Sequence, residues 1–209
     1  MKALLAELAE LGTATVYEAS GREGLVDTPL VQVVPGSRVA GPARTVRCGA
    51  GDNLMVHAAV AHARPGDVLV LTLPEPEPVA LVGDLLATQA HARGVAALLV
   101  DAAVRDLDEL RELGLPIWAR YIRVRGAGKT AVGTLDEPVA VGGATIRPGD
   151  VVVLDADGAV VVAQARVEDV REAAHERAAR ESLKRARLRA GALSYDLDGL
   201  RERVEGPTA

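Results

Sequence analysis

The clearest chemical pattern in the chain is Asp84, twenty intervening residues, and then Arg105 and Asp106 side by side. The pattern predicts a helix over 84–93 stopped by Gly94, an apolar strand over 95–101, and a helix over 105–113 closed by Gly114. The first helix must run antiparallel to the strand, so its N-terminus and the residues beyond the strand meet at one end. That end offers free backbone N–H groups at Leu85 and Leu86, a guanidinium fork at Arg105, and the carboxylates of Asp84 and Asp106. The N–H groups and the guanidinium suit a carboxylate ligand, and the two carboxylates suit a divalent cation, held directly or through water. A plainer arrangement uses the same residues, with Asp84 capping its helix and Arg105–Asp106 forming a surface pair. Spacing alone leaves both open.

Other chemistries find less support. The four histidines, His57, His62, His91 and His175, form no HExxH or clustered Cys/His pattern. They read as surface or core histidines, which argues against zinc and for a hard, oxygen-bound ion such as Mg²⁺ or Mn²⁺. Gly126-Ala127-Gly128-Lys129-Thr130 ends like a phosphate-binding loop, but Arg123 stands where the pattern needs glycine and no helix follows. Only three lysines are present, so a Schiff-base route would have Lys129 as its one candidate.

The elements around this pattern predict an α/β domain. Short helices are expected at 2–10 and 15–20, capped by Thr13 or Thr15, then a strand alternating from Val31 to Cys48. Asp52 can cap a helix running to about Arg64, and an apolar strand fills 68–73. The PEPEP run at 74–78 is a loop, since proline denies both helix and central strand. From Ile117 to Val162 the pattern is all strand, with a hairpin at Asp157-Gly158. One long charged helix over 165–190 needs a partner surface, either the domain body or a neighbouring subunit. The expected division is a domain over 1–163 and a C-terminal helix and tail over 164–209.

Composition narrows the classes. The 209 residues are 49% hydrophobic yet contain no Phe, one Trp and three Tyr, so the core must be packed from small aliphatic side chains. A net charge of −5 with no basic block argues against a nucleic-acid partner, and no window approaches the ~18 apolar residues of a membrane span. The lone Cys48 forms no intrachain disulfide, and the acidic N-terminal stretch is no signal peptide, so a cytoplasmic location is expected.

The chain resembles the RraA-like proteins, which include 4-hydroxy-4-methyl-2-oxoglutarate and 4-carboxy-4-hydroxy-2-oxoadipate aldolases. The resemblance rests on Gly51-Asp52-Asn53-Leu54, Pro65-Gly66-Asp67-Val68, Gly83-Asp84-Leu85-Leu86-Ala87, Arg105-Asp106-Leu107-Asp108-Glu109, Arg125-Gly126, Pro148-Gly149-Asp150 and Asp155-Ala156-Asp157-Gly158. The tail from Ala190 also resembles the aldolase branch, although Gly191-Ala192-Leu193 and Ala102-Ala103-Val104 depart from that branch's usual Gly-Glu-Leu and Gly-Ala-Val.

The resemblance implies a compact α/β/α sandwich like a swivelling phosphohistidine domain, assembled as a trimer or hexamer. It implies Asp106 as the direct ligand of Mg²⁺ or Mn²⁺, Asp84 acting through metal-bound water, and Arg105 with Gly83, Leu85 and Leu86 holding a pyruvoyl carboxylate. Glu181 of an adjacent subunit, or else Glu176, would complete the metal shell. The expected activity is metal-dependent aldol cleavage of a small 2-oxo acid, with oxaloacetate decarboxylation through the same enolate. The alternative is a non-catalytic trimer that regulates ribonuclease activity. A methyltransferase role is discounted, because no glycine-rich S-adenosylmethionine loop follows the first strand.

Overall fold

The computed structural model describes residues 1–206. Two short amphipathic helices open the chain, α1 (Lys2–Leu11) and α2 (Thr13–Ala19), hinged at Gly12 with φ 82°. The α2 cap is Gly12, and Thr13 is the first helical residue rather than the cap; its amide and hydroxyl both bond to Asp155 instead. The expected strand from Val31 to Cys48 is two strands, β1 (Val31–Gln32) and β2 (Val39–Arg47). Gln32 causes the break. Its side chain accepts from Gly36 N–H at 3.1 Å and donates to Ser37 O at 2.8 Å, folding Pro35-Gly36 into a turn.

Next come α3 (Leu54–His62), β3 (Val68–Thr72), β4 (Ala80–Val82), α4 (Asp84–Ala92), β5 (Ala97–Val104), α5 (Leu107–Leu113) and β6 (Ile117–Ile122). Asn53 caps α3, although Asp52 accepts the Leu54 N–H, and α3 stops at His62. Pro65 biases Arg64 away from helical backbone. The chain then forms β7 (Thr134–Leu135), the β8 (Val139–Val141) and β9 (Ala144–Ile146) hairpin, and β10 (Val151–Asp155) with β11 (Gly158–Val162). The β10–β11 hairpin forms where expected, but its two turn residues are Ala156 and Asp157, and Gly158 pairs with Asp155. A single 3₁₀ turn leads into α6 (Val167–Arg189), followed by α7 (Ser194–Leu197) and α8 (Leu200–Glu205).

The main sheet runs β1-β6-β5-β3-β2-β10-β11, parallel through β6, β5, β3 and β2 and antiparallel beyond. Strict alternation splits its side chains. Leu69, Leu71, Leu98, Val100 and Ile117 face α3, α4 and α5, while Val68, Val70, Leu99 and Trp118 face the other way. That second face also gathers Val152, Leu154 and Val161 and is closed by the β8–β9 hairpin. Trp118 on β6 donates from Nε1 to the Asp155 carbonyl on β10 at 2.7 Å, so the sheet is curled until its two sides almost meet. The α/β class is as expected, with helices outside and the second core layer enclosed by the sheet itself.

The first two turns of α6 pack Val167 and Val170 against α1, α2 and the β10–β11 ribbon, and Ala174 is buried beyond them. The domain body thus partners the near half of α6, and the far half is largely exposed, with Leu183 at 72%. Asp155 ties this layer to the sheet. It is 5% exposed and accepts from Thr13 N, Thr13 Oγ1 and Asp157 N at 2.9, 2.6 and 2.9 Å. Asp155→Ala strands those buried donors and is expected to lower unfolding free energy by about 2–4 kcal/mol, read as a lower urea midpoint at unchanged slope.

Candidate active site

The short strand β4, which the proline-rich stretch before it concealed, builds the site. It lies parallel to the last residues of β5, with Ala80 opposite Ala103 and Val82 opposite Val104. β5 itself runs three residues past its expected end at Asp101. A bulge opposite Arg120 places Asp101 and Ala102 between the pairs Val100–Ala119 and Ala103–Tyr121 and restores pairing beyond. Residues leaving two adjacent parallel strands therefore emerge side by side: Gly83-Asp84 from β4 and Arg105-Asp106 from β5. Arg105 N–H donates to Val82 O at 3.1 Å, and Asp84 N–H donates to Asp106 Oδ2 at 3.1 Å.

This geometry corrects the expected helix start at Arg105. Asp106 has left-handed backbone (φ 60°, ψ 49°) and precedes α5 as its cap, so Arg105 and Asp106 lie in the strand-to-helix elbow. Asp and Asn tolerate that conformation better than most residues. Asp84 is the first residue of α4, after Gly83 as cap, and its carboxylate accepts no hydrogen bond and joins no ion pair among the described residues. Leu85 and Leu86 are the next two positions, where a helix leaves its N–H groups unbonded, and Leu85 is 73% exposed.

Two glycines bring backbone close to the site's charged groups. A Cβ on Gly83 would lie 2.4 Å from Asp106 Oδ2 and 3.2 Å from Arg105 Nε, and one on Gly126 would lie 2.8 Å from Arg105 Nη1. The guanidinium is therefore lodged between two backbone strips, with Asp106 Oδ2 at 3.6 Å from Nε. Gly83, Arg105 and Gly126 line a cleft of about 190 Å³ with Asn53, His57, Ala127 and Lys129.

Asp84, Arg105, Gly83, Leu85 and Leu86 all line this cleft, and Asp106 is bonded into its wall. Glu181 and Glu176 do not reach it within one chain: both lie on α6, where Glu181 pairs with Arg177 at 2.8 Å and Glu176 with Arg180 at 3.6 Å. Asp101, close to Arg105 in sequence, also stays outside the cleft. It is 3% exposed and pairs with Arg120 at 2.7 Å; burial pushes its carboxyl above the usual range, and the guanidinium only partly offsets this.

Two polar residues of the cleft, Asn53 and His57, were not singled out as site residues from sequence, and a third, Lys129, was named only as the candidate for a Schiff-base route. Asn53 and His57 are four apart, at the cap and first turn of α3, and so share one face. Asn53 donates from Nδ2 to Leu81 O at 2.9 Å, which fixes its amide, while Asn53 Oδ1 and His57 Nε2 are buried without a hydrogen-bond partner. The i, i+4 spacing was the available signal for His57, which reads as an ordinary histidine when only histidine pairs are sought. Lys129 arrives through the 123–133 segment, whose apparent phosphate-loop motif carries its cation to the cleft wall.

The residues fit a hard divalent ion in one respect and leave it open in another. No group of three His, Cys, Asp or Glu side chains capable of holding a metal occurs among the described residues. Two carboxylates, one of them free of any partner, match the way Mg²⁺ is held by one or two acidic side chains, with water and ligand oxygens filling the rest. No helix among the described residues is long and apolar enough to cross a membrane.

Known proteins share this architecture. The family model described as Aldolase/RraA matches residues 13–161. A Halalkalibacterium halodurans protein named "Putative 4-hydroxy-4-methyl-2-oxoglutarate aldolase" is 39% identical over 142 residues, 68% of each chain. An uncharacterized protein from Pseudomonas syringae pv. tomato superposes with TM-score 0.83 at 26% identity, covering 92% of this chain and 91% of its own. Streptomyces coelicolor RraAS2, described as an unusual member of the RNase ES inhibitor RraA family, gives TM-score 0.79 at 30% identity, covering 90% and 98%.

Proposed function

The chain belongs to the RraA-like family, and from that premise we propose that it is a divalent-metal-dependent carbon–carbon lyase. Its substrates would be 4-hydroxy-2-oxo acids with at least one further carboxylate, such as 4-hydroxy-4-methyl-2-oxoglutarate or 4-carboxy-4-hydroxy-2-oxoadipate, cleaved to pyruvate and a second 2-oxo acid. One observation carries the reading: Asp84 and Asp106, a lodged guanidinium and two free helix amides converge where adjacent parallel strands end. The name of the Halalkalibacterium relative supports it.

Arg105 and the N–H groups of Leu85 and Leu86, with Gly83 giving room for close approach, bind the carboxylate next to the keto group. Lys129 on the facing wall takes the second carboxylate. Mg²⁺ or Mn²⁺, held by Asp106, by Asp84 through water and by Glu181 of an adjacent copy in a trimer or hexamer, would supply Lewis-acid stabilisation of charge on the keto oxygen. The unpaired Asp84 carboxylate is the group able to receive the 4-hydroxyl proton through a bridging water. As that proton leaves, the C3–C4 bond breaks and its electron pair passes to the enolate of pyruvate, which is then protonated at C3. Oxaloacetate reaches the same enolate by losing CO₂. Lys129 is exposed and lacks the desolvation that activates a Schiff-base lysine.

The direct test is pyruvate release from 4-hydroxy-4-methyl-2-oxoglutarate and from oxaloacetate with added Mg²⁺ or Mn²⁺. We expect turnover of both, abolished by EDTA and restored by excess metal. Activity that survives chelation, or inertness toward both acids, removes the proposal. The likeness to RraAS2 favours the second reading, a protein-binding regulator of ribonuclease activity; inertness combined with capture of a ribonuclease would select it.

A further inference from the structure

Asp52 does not line the cleft, yet it fastens two of its walls together. It is 3% exposed, with Oδ1 accepting from Leu54 N–H at 2.8 Å and Oδ2 accepting from Thr130 N–H at 2.7 Å and Ala131 N–H at 3.1 Å. Backbone bonds run alongside: Asn53 N–H to Gly128 O at 2.9 Å and Gly128 N–H to Gly51 O at 2.8 Å. Glu77 Oε1 holds the Gly51 N–H at 2.8 Å. Burial alone would raise the Asp52 carboxyl; the amides of Thr130, Leu54 and Ala131 outweigh it and hold the group below its ordinary range.

The two sides of this clamp have different contents. One is the start of α3, which brings Asn53 and His57 to the cleft; the other is the 126–131 segment, which brings Gly126, Ala127 and Lys129. At its near end that segment is held to β4, where Ala80 N–H donates to Arg125 O at 2.7 Å and Gly126 bridges Ala80, but around Lys129 its backbone is held by the Asp52 side. It holds no strand or helix, and its neighbours Val124 and Val132 are 89% and 79% exposed. Lys129 is tied on both flanks, through Gly128 and Thr130, and a long side chain delivers its charge reproducibly only from a fixed Cα.

We propose that Asp52 is a positioning residue whose carboxylate sets Lys129 against Arg105 and thereby makes the cleft selective for dicarboxylic 2-oxo acids, without touching them. This rests on the lyase reading above. Asp52→Asn puts an NH₂ where an oxygen now faces amide donors, so one side of the clamp opens. Gly128→Ala strains it from the opposite wall, because a Cβ there would lie 2.9 Å from Asp52 Oδ2.

The test is a double-mutant cycle on kcat/KM for 4-hydroxy-4-methyl-2-oxoglutarate, joined to hydrogen exchange. Asp52→Asn and Lys129→Met each lower kcat/KM by about tenfold, chiefly through KM, and the double variant is no worse than Lys129→Met alone within about twofold. Losses that multiply overturn the proposal, since a merely structural role acts whether or not Lys129 is present. Should Asp52→Asn not fold, Gly128→Ala takes its place in the cycle. Exchange needs no turnover: the Thr130 and Ala131 amides exchange at least about tenfold faster in the variant, and unchanged rates overturn the clamp. If the wild-type protein releases no pyruvate, the lyase reading and the selectivity built on it both fall, while the exchange result still decides whether the clamp exists.

Discussion

Arg105→Ala lowers kcat/KM for pyruvate release by about 10³-fold, the scale expected when a charged group that orients and stabilises a reacting anion is removed. The cause is the seat of the guanidinium. It lies against the backbone of Gly83 and Gly126, close enough that a Cβ at either position would crowd it, and the rest of it is open to a ligand in the cleft. Arg105→Lys recovers little, since an ammonium lacks the planar fork and cannot fill the slot. Because the side chain is 47% exposed and its nearest charge is Asp106 at 3.6 Å, the loss should leave thermal stability within a few degrees of wild type. Steady-state kinetics beside a melting curve decides the matter: a loss below about tenfold assigns the carboxylate to another group.

Asp106→Asn is expected to be as severe for catalysis, about 10³-fold, and silent for folding. Asparagine adopts the left-handed backbone at φ 60° and keeps a carbonyl oxygen to accept Asp84 N–H, so only the negative charge is lost. Wild type should show saturable dependence on Mg²⁺ or Mn²⁺, and the variant should need far more metal or fail to respond. Urea unfolding of the two should agree within about 0.5 kcal/mol, whereas Asp106→Ala adds roughly 1 kcal/mol of backbone strain. Full activity in Asp106→Asn at low metal would remove the carboxylate from the cation's shell.

How far the sequence reaches can be judged at this site. That Asp84, Arg105 and Asp106 lie together was expected from spacing, because a helix, a strand and a helix of ordinary length leave few ways to connect, but spacing left open whether they form a site or a cap beside a surface pair. The structure joins them by a different element. β4 is three residues long and follows a proline-rich stretch, too short for alternation to register, yet its parallel pairing with β5 puts Gly83-Asp84 beside Arg105-Asp106. The bulge at Asp101 and Ala102 was equally hidden, since Ala102, Ala103 and Val104 are small, apolar residues common to strands and helices.

Asn53, His57 and Lys129 were harder still, because their places depend on contacts between segments far apart in the chain. Asp52 could be read as a helix cap, but its second oxygen bonds to residues 78 and 79 positions away, and no local pattern announces that. The curl of the sheet, by contrast, shows in composition only as a missing property: with no Phe, its enclosed layer is valine, leucine, isoleucine and alanine around one tryptophan.

The left-handed elbow at Asp106 also bears on how such a protein can change over generations. A single nucleotide substitution turns either aspartate codon into one for asparagine or one for glycine, two residues that accept this backbone. On the lyase reading, the chemistry at position 106 can therefore be lost by one mutation, and asparagine, which keeps an acceptor for Asp84 N–H, leaves the fold and its stability almost unmarked. On that reading an inert binding protein lies one codon step from an active lyase.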